Sequence, residues 1–179
     1  MSPSFNAHIT HLECSHSGAI YPADGVYNLS EAGYPLLVRY DLETLKATLD
    51  RDHFKKDRPG FWQYARLLPP GETIPLASLG ETITPLIPIN AKSCIGVPQD
   101  VWIKDEGLLP SGSFKARGVA MAVTMARALG VTRMAMPTNG NAGAALAAYG
   151  ASAGLEVLCY CPSDTPRINI EEMLSLIHI

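Results

Sequence analysis

The sequence predicts an α/β protein, a parallel sheet with covering helices preceded by a small ribbon-like segment. Three observations carry that expectation. From residue 101 onward, short apolar segments alternate with helical ones in the order strand–helix–strand–helix–strand, the grammar of a parallel sheet. The composition changes near residue 80, because residues 1–80 hold 16 of the 31 charged residues and most of the turn clusters. Finally, 179 residues that are 47% apolar and 17% charged supply enough apolar surface for one core and a small appendage.

Taken in order, short strands are expected at 19–21 and 36–40, bounded by the turns His16-Ser17-Gly18 and Pro22-Ala23-Asp24-Gly25. A helix is expected over 43–52. An irregular arm with Pro69-Pro70-Gly71 follows to about residue 80. Residues 101–104 read as the first strand of the sheet. Residues 113–129 read as a deeply packed helix, with Ser113 as N-cap and with Lys115, Arg117, Thr124 and Arg127 among apolar neighbours. A strand at 133–136, an alanine-dominated helix at 141–153 and a strand at 156–160 complete the pattern. The chain accordingly divides into an N-terminal segment, 1–78, and an α/β domain, 79–179.

Several function classes are disfavoured at once. A formal charge of −3, with no basic run longer than Lys55-Lys56, argues against a general nucleic-acid binder. No stretch approaches the ~20 apolar residues of a membrane helix. The beginning of the chain shows no secretory or transit pattern. Four cysteines make no disulfide framework, and Cys159 and Cys161 point to opposite faces of a strand. Reduced thiols and a cytoplasmic protein are expected.

Two segments carry chemistry. Pro110-Ser111-Gly112 turns into the helix that begins near Ser113, which places Lys115 in its first turn. A cation there faces the positive end of the helix dipole, at a cost of ~0.3–1 kcal/mol. That field and an apolar surround favour the neutral amine, the form that attacks a carbonyl in Schiff-base chemistry. The second segment, residues 136–145, closes a strand, turns on Gly140 and opens a helix. Its N–H groups from Asn139 to Gly143 form a candidate anion nest, with the Asn141 amide beside them. No acidic residue lies between Glu106 and Glu156, whereas Lys115, Arg117, Arg127 and Arg133 are cationic, a one-sign region that would concentrate anions.

Together these residues resemble the fold-type II (tryptophan synthase β-like) family of pyridoxal-phosphate (PLP) enzymes, and within it the threonine synthases. Thr84-Pro85-Leu86 resembles the family's TPL segment, Pro110-Ser-Gly-Ser-Phe-Lys115 its lysine motif, and Gly140-Asn141 its asparagine loop, over about residues 79–172. The resemblance implies that Lys115 bonds the cofactor as a Schiff base and later moves protons. It implies that Phe114 and Asn141 contact the cofactor, Asn141 at the ring 3′-oxygen. Thr138, Asn139, Gly140 and Ala142 would bind the substrate carboxylate. The implied reaction converts O-phospho-L-homoserine and water to L-threonine and phosphate, in a homodimeric parent enzyme. Residues 11–42 resemble the zinc ribbon that precedes many threonine synthases. Only Cys14 of the four ligand positions remains, with Ser17, Leu29 and Ala32 at the others, so no metal is expected.

Departures from the family are visible too. Ala116 stands where many relatives have Asp, and Ala142 where many have a hydroxyl. The later glycine-rich loop that cradles the cofactor phosphate does not occur, and residues 173–179 do not resemble the family's continuation. The expectation is an N-terminal fragment, inactive alone, with an uncovered strand edge and weak PLP binding. The competing readings are another fold-type II enzyme (cysteate synthase or threonine dehydratase) or a non-enzymatic anion-binding fragment.

Overall fold

The computed structural model describes residues 5–54, 60–72, 77–90, 96 and 100–177. It is a mixed α/β structure, with three small sheets among the described residues.

The N-terminal ribbon is an antiparallel sheet in the order β2-β1-β3, made of β1 (Ile9–Cys14), β2 (Ile20–Tyr21) and β3 (Leu36–Tyr40). The sequence reading lacked β1. Its Thr10, His11 and Glu13 dilute the apolar signal, and pairing with both neighbours is what makes it a strand. Gly18, with φ 71°, closes the following turn by donating its N–H to the Cys14 carbonyl at 3.0 Å. Cys14 is 1% exposed. Its Sγ lies 3.1 Å from Ser30 Oγ and accepts the Ser17 N–H at 3.4 Å. Hydrogen bonding by Ser17 first, and by Ser30 after it, holds the thiol well below its ordinary range, at about 6. The hydroxyl of Ser30, which sequence reasoning passed over, thus neighbours the remaining cysteine. Nearby His16 stacks on Tyr34 at 4.2 Å.

Helix α1 (Leu42–Thr48) starts at Asp41, whose carboxylate accepts the Thr44 N–H at 3.0 Å. It ends four residues before the expected limit, and Arg51–Phe54 forms a separate 3-10 turn. A further 3-10 helix, Gly60–Leu67, is tied to the start of the chain by the Asn6 amide. That amide donates to the Arg66 carbonyl at 2.8 Å and the Leu68 carbonyl at 3.1 Å.

Strand β4 (Leu86–Ile89) pairs antiparallel with β5 (Val101–Lys104), and this corrects the expectation for residues 101–104. Among the described residues β5 bonds to β4 and not to the parallel strands. Antiparallel pairing, unlike parallel pairing, needs no crossover connection between its strands. The parallel pair is β6 (Arg133–Pro137) with β7 (Glu156–Tyr160), connected through α3 (Asn141–Ser152). Among the described residues β7 pairs with β6 alone, and Leu158 and Tyr160 are exposed on it. Met134, Met136 and Val157 alternate inward onto the core.

Residues 143–150 of α3 are buried throughout, enclosed by α2 (Lys115–Ala128), the two parallel strands and α4 (Arg167–Ile177). Small residues permit that enclosure. A Cβ on Gly143 would collide with Met173 and Thr138, and one on Gly150 with Val157. Leu146, Tyr149, Val119, Ala120, Val123 and Trp62 form the centre of the core. Residues 173–177, expected to depart from the family pattern, continue α4, and Met173 is 3% exposed against α3.

Two polar nodes brace this core. Glu81, 2% exposed, accepts Trp62 Nε1–H at 2.9 Å, Ser78 Oγ–H at 2.6 Å, Tyr149 Oη–H at 2.5 Å and the Leu79 N–H at 3.0 Å. Burial raises its carboxyl, but the hydrogen bonds outweigh burial and leave it lowered. At the second node Glu106 accepts Arg117 Nε–H at 2.5 Å, Arg117 Nη2–H at 2.8 Å and Thr84 Oγ1–H at 2.7 Å. The Arg117 fork outweighs the opposing effect of burial and, with the Thr84 hydroxyl adding to it, brings the Glu106 carboxyl down to about 2.

A carboxyl with a depressed folded-state pKa takes up protons more readily when the chain unfolds. The Glu106 contribution is therefore complete above about pH 4.5 and drains as the pH falls toward 2. We expect on the order of 2–3 kcal/mol to be lost across that window. Urea midpoints measured from pH 7 to pH 2.5 check this, and Glu106→Gln should flatten that part of the profile.

Candidate active site

A cleft of about 520 Å³ opens where β6 ends and the N-terminal turns of α2, α3 and α4 meet. Lys115, Thr138, Asn139, Gly140, Asn141 and Ala142 line it, joined by Pro137, Pro166 and Asn169. Six of the seven residues proposed from sequence thus share one cleft at the carboxyl end of a parallel strand, where α/β proteins bind ligands.

Thr138 organises the turn. Its N–H extends the ladder to the Tyr160 carbonyl at 2.9 Å. Its hydroxyl oxygen accepts the N–H of Gly140 at 3.2 Å and of Gly143 at 3.0 Å. Two of the amides expected to bind an anion are therefore already occupied, a correction to the five-donor nest. The N–H groups of Asn139, Asn141 and Ala142 make no hydrogen bond among the described residues and remain available.

Lys115 is the first residue of α2, within the first turn as expected. Phe114 is the N-cap, with helical backbone and no capping side chain. Ser113 does not cap, and its buried Oγ has no partner, like that of Ser111. Phe114 already has helical backbone, and the Ala116 N–H donates to the Ser113 carbonyl at 3.2 Å, so the helix is entered through a backbone turn and not through a side-chain cap. Lys115 is exposed on the cleft wall, so the dry surround expected for its amine is not supplied by the described residues. Phe114 is 59% exposed and lies outside the cleft lining; its ring meets Lys115 Nζ at 4.9 Å from the centroid.

The cationic stretch is also corrected. Arg117 is committed to Glu106, and Arg133 to Glu156 at 2.8 Å, so the acidic residues bounding the stretch neutralise two of its four charges. What favours anions here is local. Each of the three converging helix N-termini carries roughly half a positive charge, and Lys115 stands among them.

This structure's own features fit a PLP-type cofactor. The cleft volume lies within the ~300–1,000 Å³ of ordinary ligand sites. It joins a primary amine, a free carboxamide and unpaired amides, the donor set that an aldehyde, a phenolic oxygen and a carboxylate require.

Asn169 and Pro166 were missed as lining residues. A signal existed: Pro166 precedes a helical run, and proline is favoured at a helix start, which sets residue 169 within the first turn. What the signal could not give is the docking of α4 beside residues 138–142.

Comparison with known proteins adds an independent line. A model of the pyridoxal-phosphate dependent enzyme family matches residues 77–176, past the limit near 172 expected from the motifs. A threonine synthase of Methanosarcina acetivorans is 39% identical over 155 residues, covering 86% of this chain and 37% of that protein. A threonine synthase of Methanocaldococcus jannaschii is 34% identical over 150 residues, with 83% and 37% covered. A solved structure, a pyridoxal 5′-phosphate-dependent aspartate racemase, overlaps 52% of this chain and 30% of its own at 28% identity and a TM-score of 0.48. The chain thus spans a little over a third of the length of these two synthases. With the family match covering more than half of its residues, and an amine and an amide-rich turn sharing one cleft, this chain belongs to the pyridoxal-phosphate dependent enzyme family.

Proposed function

We propose that this chain is the lysine-bearing portion of a threonine synthase, which converts O-phospho-L-homoserine and water to L-threonine and phosphate. The observation that carries the reading is the shared cleft of Lys115 with residues 138–142, together with similarity to threonine synthases over most of the chain. Residues 79–179 then belong to a fold-type II catalytic domain, with residues 1–78 as its supporting ribbon and arm. A cytoplasmic, homodimeric parent enzyme goes with the reading.

In it Lys115 and Asn141 hold the cofactor, Lys115 through its amine and Asn141 through its side-chain amide. Bound PLP supplies an electron sink for carbanionic charge on the amino acid. Lys115 Nζ, when free, takes up and returns protons at the substrate carbons. The unpaired N–H groups of Asn139, Asn141 and Ala142 orient the substrate carboxylate, and they are fixed donors that need no reorganisation. Thr138 and Gly140 shape that turn from within.

The test has two parts. Borohydride reduction after PLP addition, followed by peptide mapping, should label Lys115. The product of the whole reading frame should release phosphate from O-phospho-L-homoserine and form threonine. Label at Lys115 without phosphate release would move the assignment to another PLP reaction, and label scattered over surface lysines would reject both.

A further inference from the structure

We propose that Asn169 is a positioning residue of this cleft: by gripping the Asn139 carbonyl it holds residues 138–142 so that their unpaired amides face a bound anionic group. The inference rests on the cleft reading above and adds a residue from a different helix to it.

Asn169 Nδ2 donates to the Asn139 carbonyl at 2.8 Å, across thirty residues of sequence. The same amide rests on Gly140, where an added Cβ would lie 3.2 Å from Nδ2. The turn is therefore held on two sides, by the Thr138 hydroxyl from within and by Asn169 from α4. Helix α4 is in turn seated on α3 by Met173, packed where Gly143 leaves room. A carbonyl oxygen accepts only from the NH2 side of an amide, so the orientation of Asn169 is settled by its partner. Its Oδ1 makes no hydrogen bond among the described residues, and the residue lines the cleft beside Asn141 and Ala142. Without this grip the peptide from 139 to 140 loses its outer restraint, and the neighbouring N–H groups no longer share one direction.

The probe is inorganic sulfate, whose charge is constant from pH 4 to 7, titrated into the full chain while backbone amide shifts of residues 139–142 are followed. Asn169→Ala should weaken sulfate binding by about three- to tenfold, the worth of one hydrogen bond. Asn169→Asp should bind more weakly still near neutral pH, because a carboxylate cannot donate to the carbonyl and repels the anion. On acidification through a carboxyl pKa of ~4 its neutral acid can donate, and sulfate affinity should rise above that of Asn169→Ala. A residue that served only to stabilise α4 would not produce that crossing. Lys115 across the cleft and the Arg167–Glu171 pair at 2.6 Å are common to all three proteins, and the wild-type profile subtracts them. The proposal is overturned if Asn169→Ala keeps wild-type sulfate affinity, if Asn169→Asp shows no acid-dependent recovery, or if the wild type moves none of these amides. Failure to label Lys115 in the wild type sinks the cofactor reading alone, since the sulfate readout does not use the cofactor.

Discussion

Replacing Lys115 with alanine is expected to abolish the specific borohydride-stable adduct with PLP, leaving only the slow label that surface lysines give. In the full enzyme the same change should lower kcat by about 10²–10⁴-fold or more, the range for losing a positioned acid–base group. Among the described residues Lys115 is the one lysine lining the cleft of residues 137–142. Lys104, the other described lysine near the start of α2, donates to the Thr84 carbonyl at 3.0 Å. Lys115→Arg preserves the charge at the helix N-terminus but offers no nucleophilic amine, so it should restore anion affinity without restoring the adduct. Peptide mapping and sulfate titration of both variants separate the chemical role of the amine from its electrostatic one. An adduct that persists in Lys115→Ala would move the covalent site elsewhere.

Replacing Glu81 with alanine is expected to be the most damaging change to folding. Its carboxylate satisfies three side-chain donors from three separate segments, Trp62, Ser78 and Tyr149. Removal leaves the Trp62 and Tyr149 donors buried and unpaired, and at about 1–3 kcal/mol for each such donor the loss is about 2–6 kcal/mol. Tyr149→Phe removes one donor and leaves the acceptor three others, so about 1–2 kcal/mol is expected. The carboxylate conversely pushes the Tyr149 phenol up, after burial as the larger cause, so that hydroxyl stays protonated and donating. Chemical denaturation of both variants reads the difference. A Glu81→Ala protein within 1 kcal/mol of the wild type would show that water or rearrangement replaces the carboxylate. Because the Glu81 carboxyl is lowered in the folded state, its contribution persists above its unfolded pKa and fades as the medium is acidified below it.

Local pattern made much of the α/β half legible. Short apolar segments at 133–136 and 156–160, the alanine-rich run after Asn141, and glycine and proline punctuation place β6, α3 and β7 within a residue or two. The same information failed where an element owes its state to a partner. Strand β1 exists through pairing on both edges, and β5 turned out to be one arm of an antiparallel pair. The start of α2 shifted two residues because the chain enters it through Phe114, which has helical backbone and no side-chain cap.

The cleft divides in the same way. Motif spacing along the chain was enough to single out Lys115, Asn141 and the turn between Thr138 and Ala142, since each depends on a strand end or a helix start that neighbouring residues dictate. Three-dimensional packing alone decided that Arg117 and Arg133 are spent on Glu106 and Glu156, that the Thr138 hydroxyl consumes two amides, and that Asn169 reaches the Asn139 carbonyl. Those outcomes rest on contacts between residues 2 to 30 positions apart, most of them between different elements, and periodicity carries information about one element at a time. Local chemistry determined which groups could act; the docking of helices determined which of them stayed free to do so.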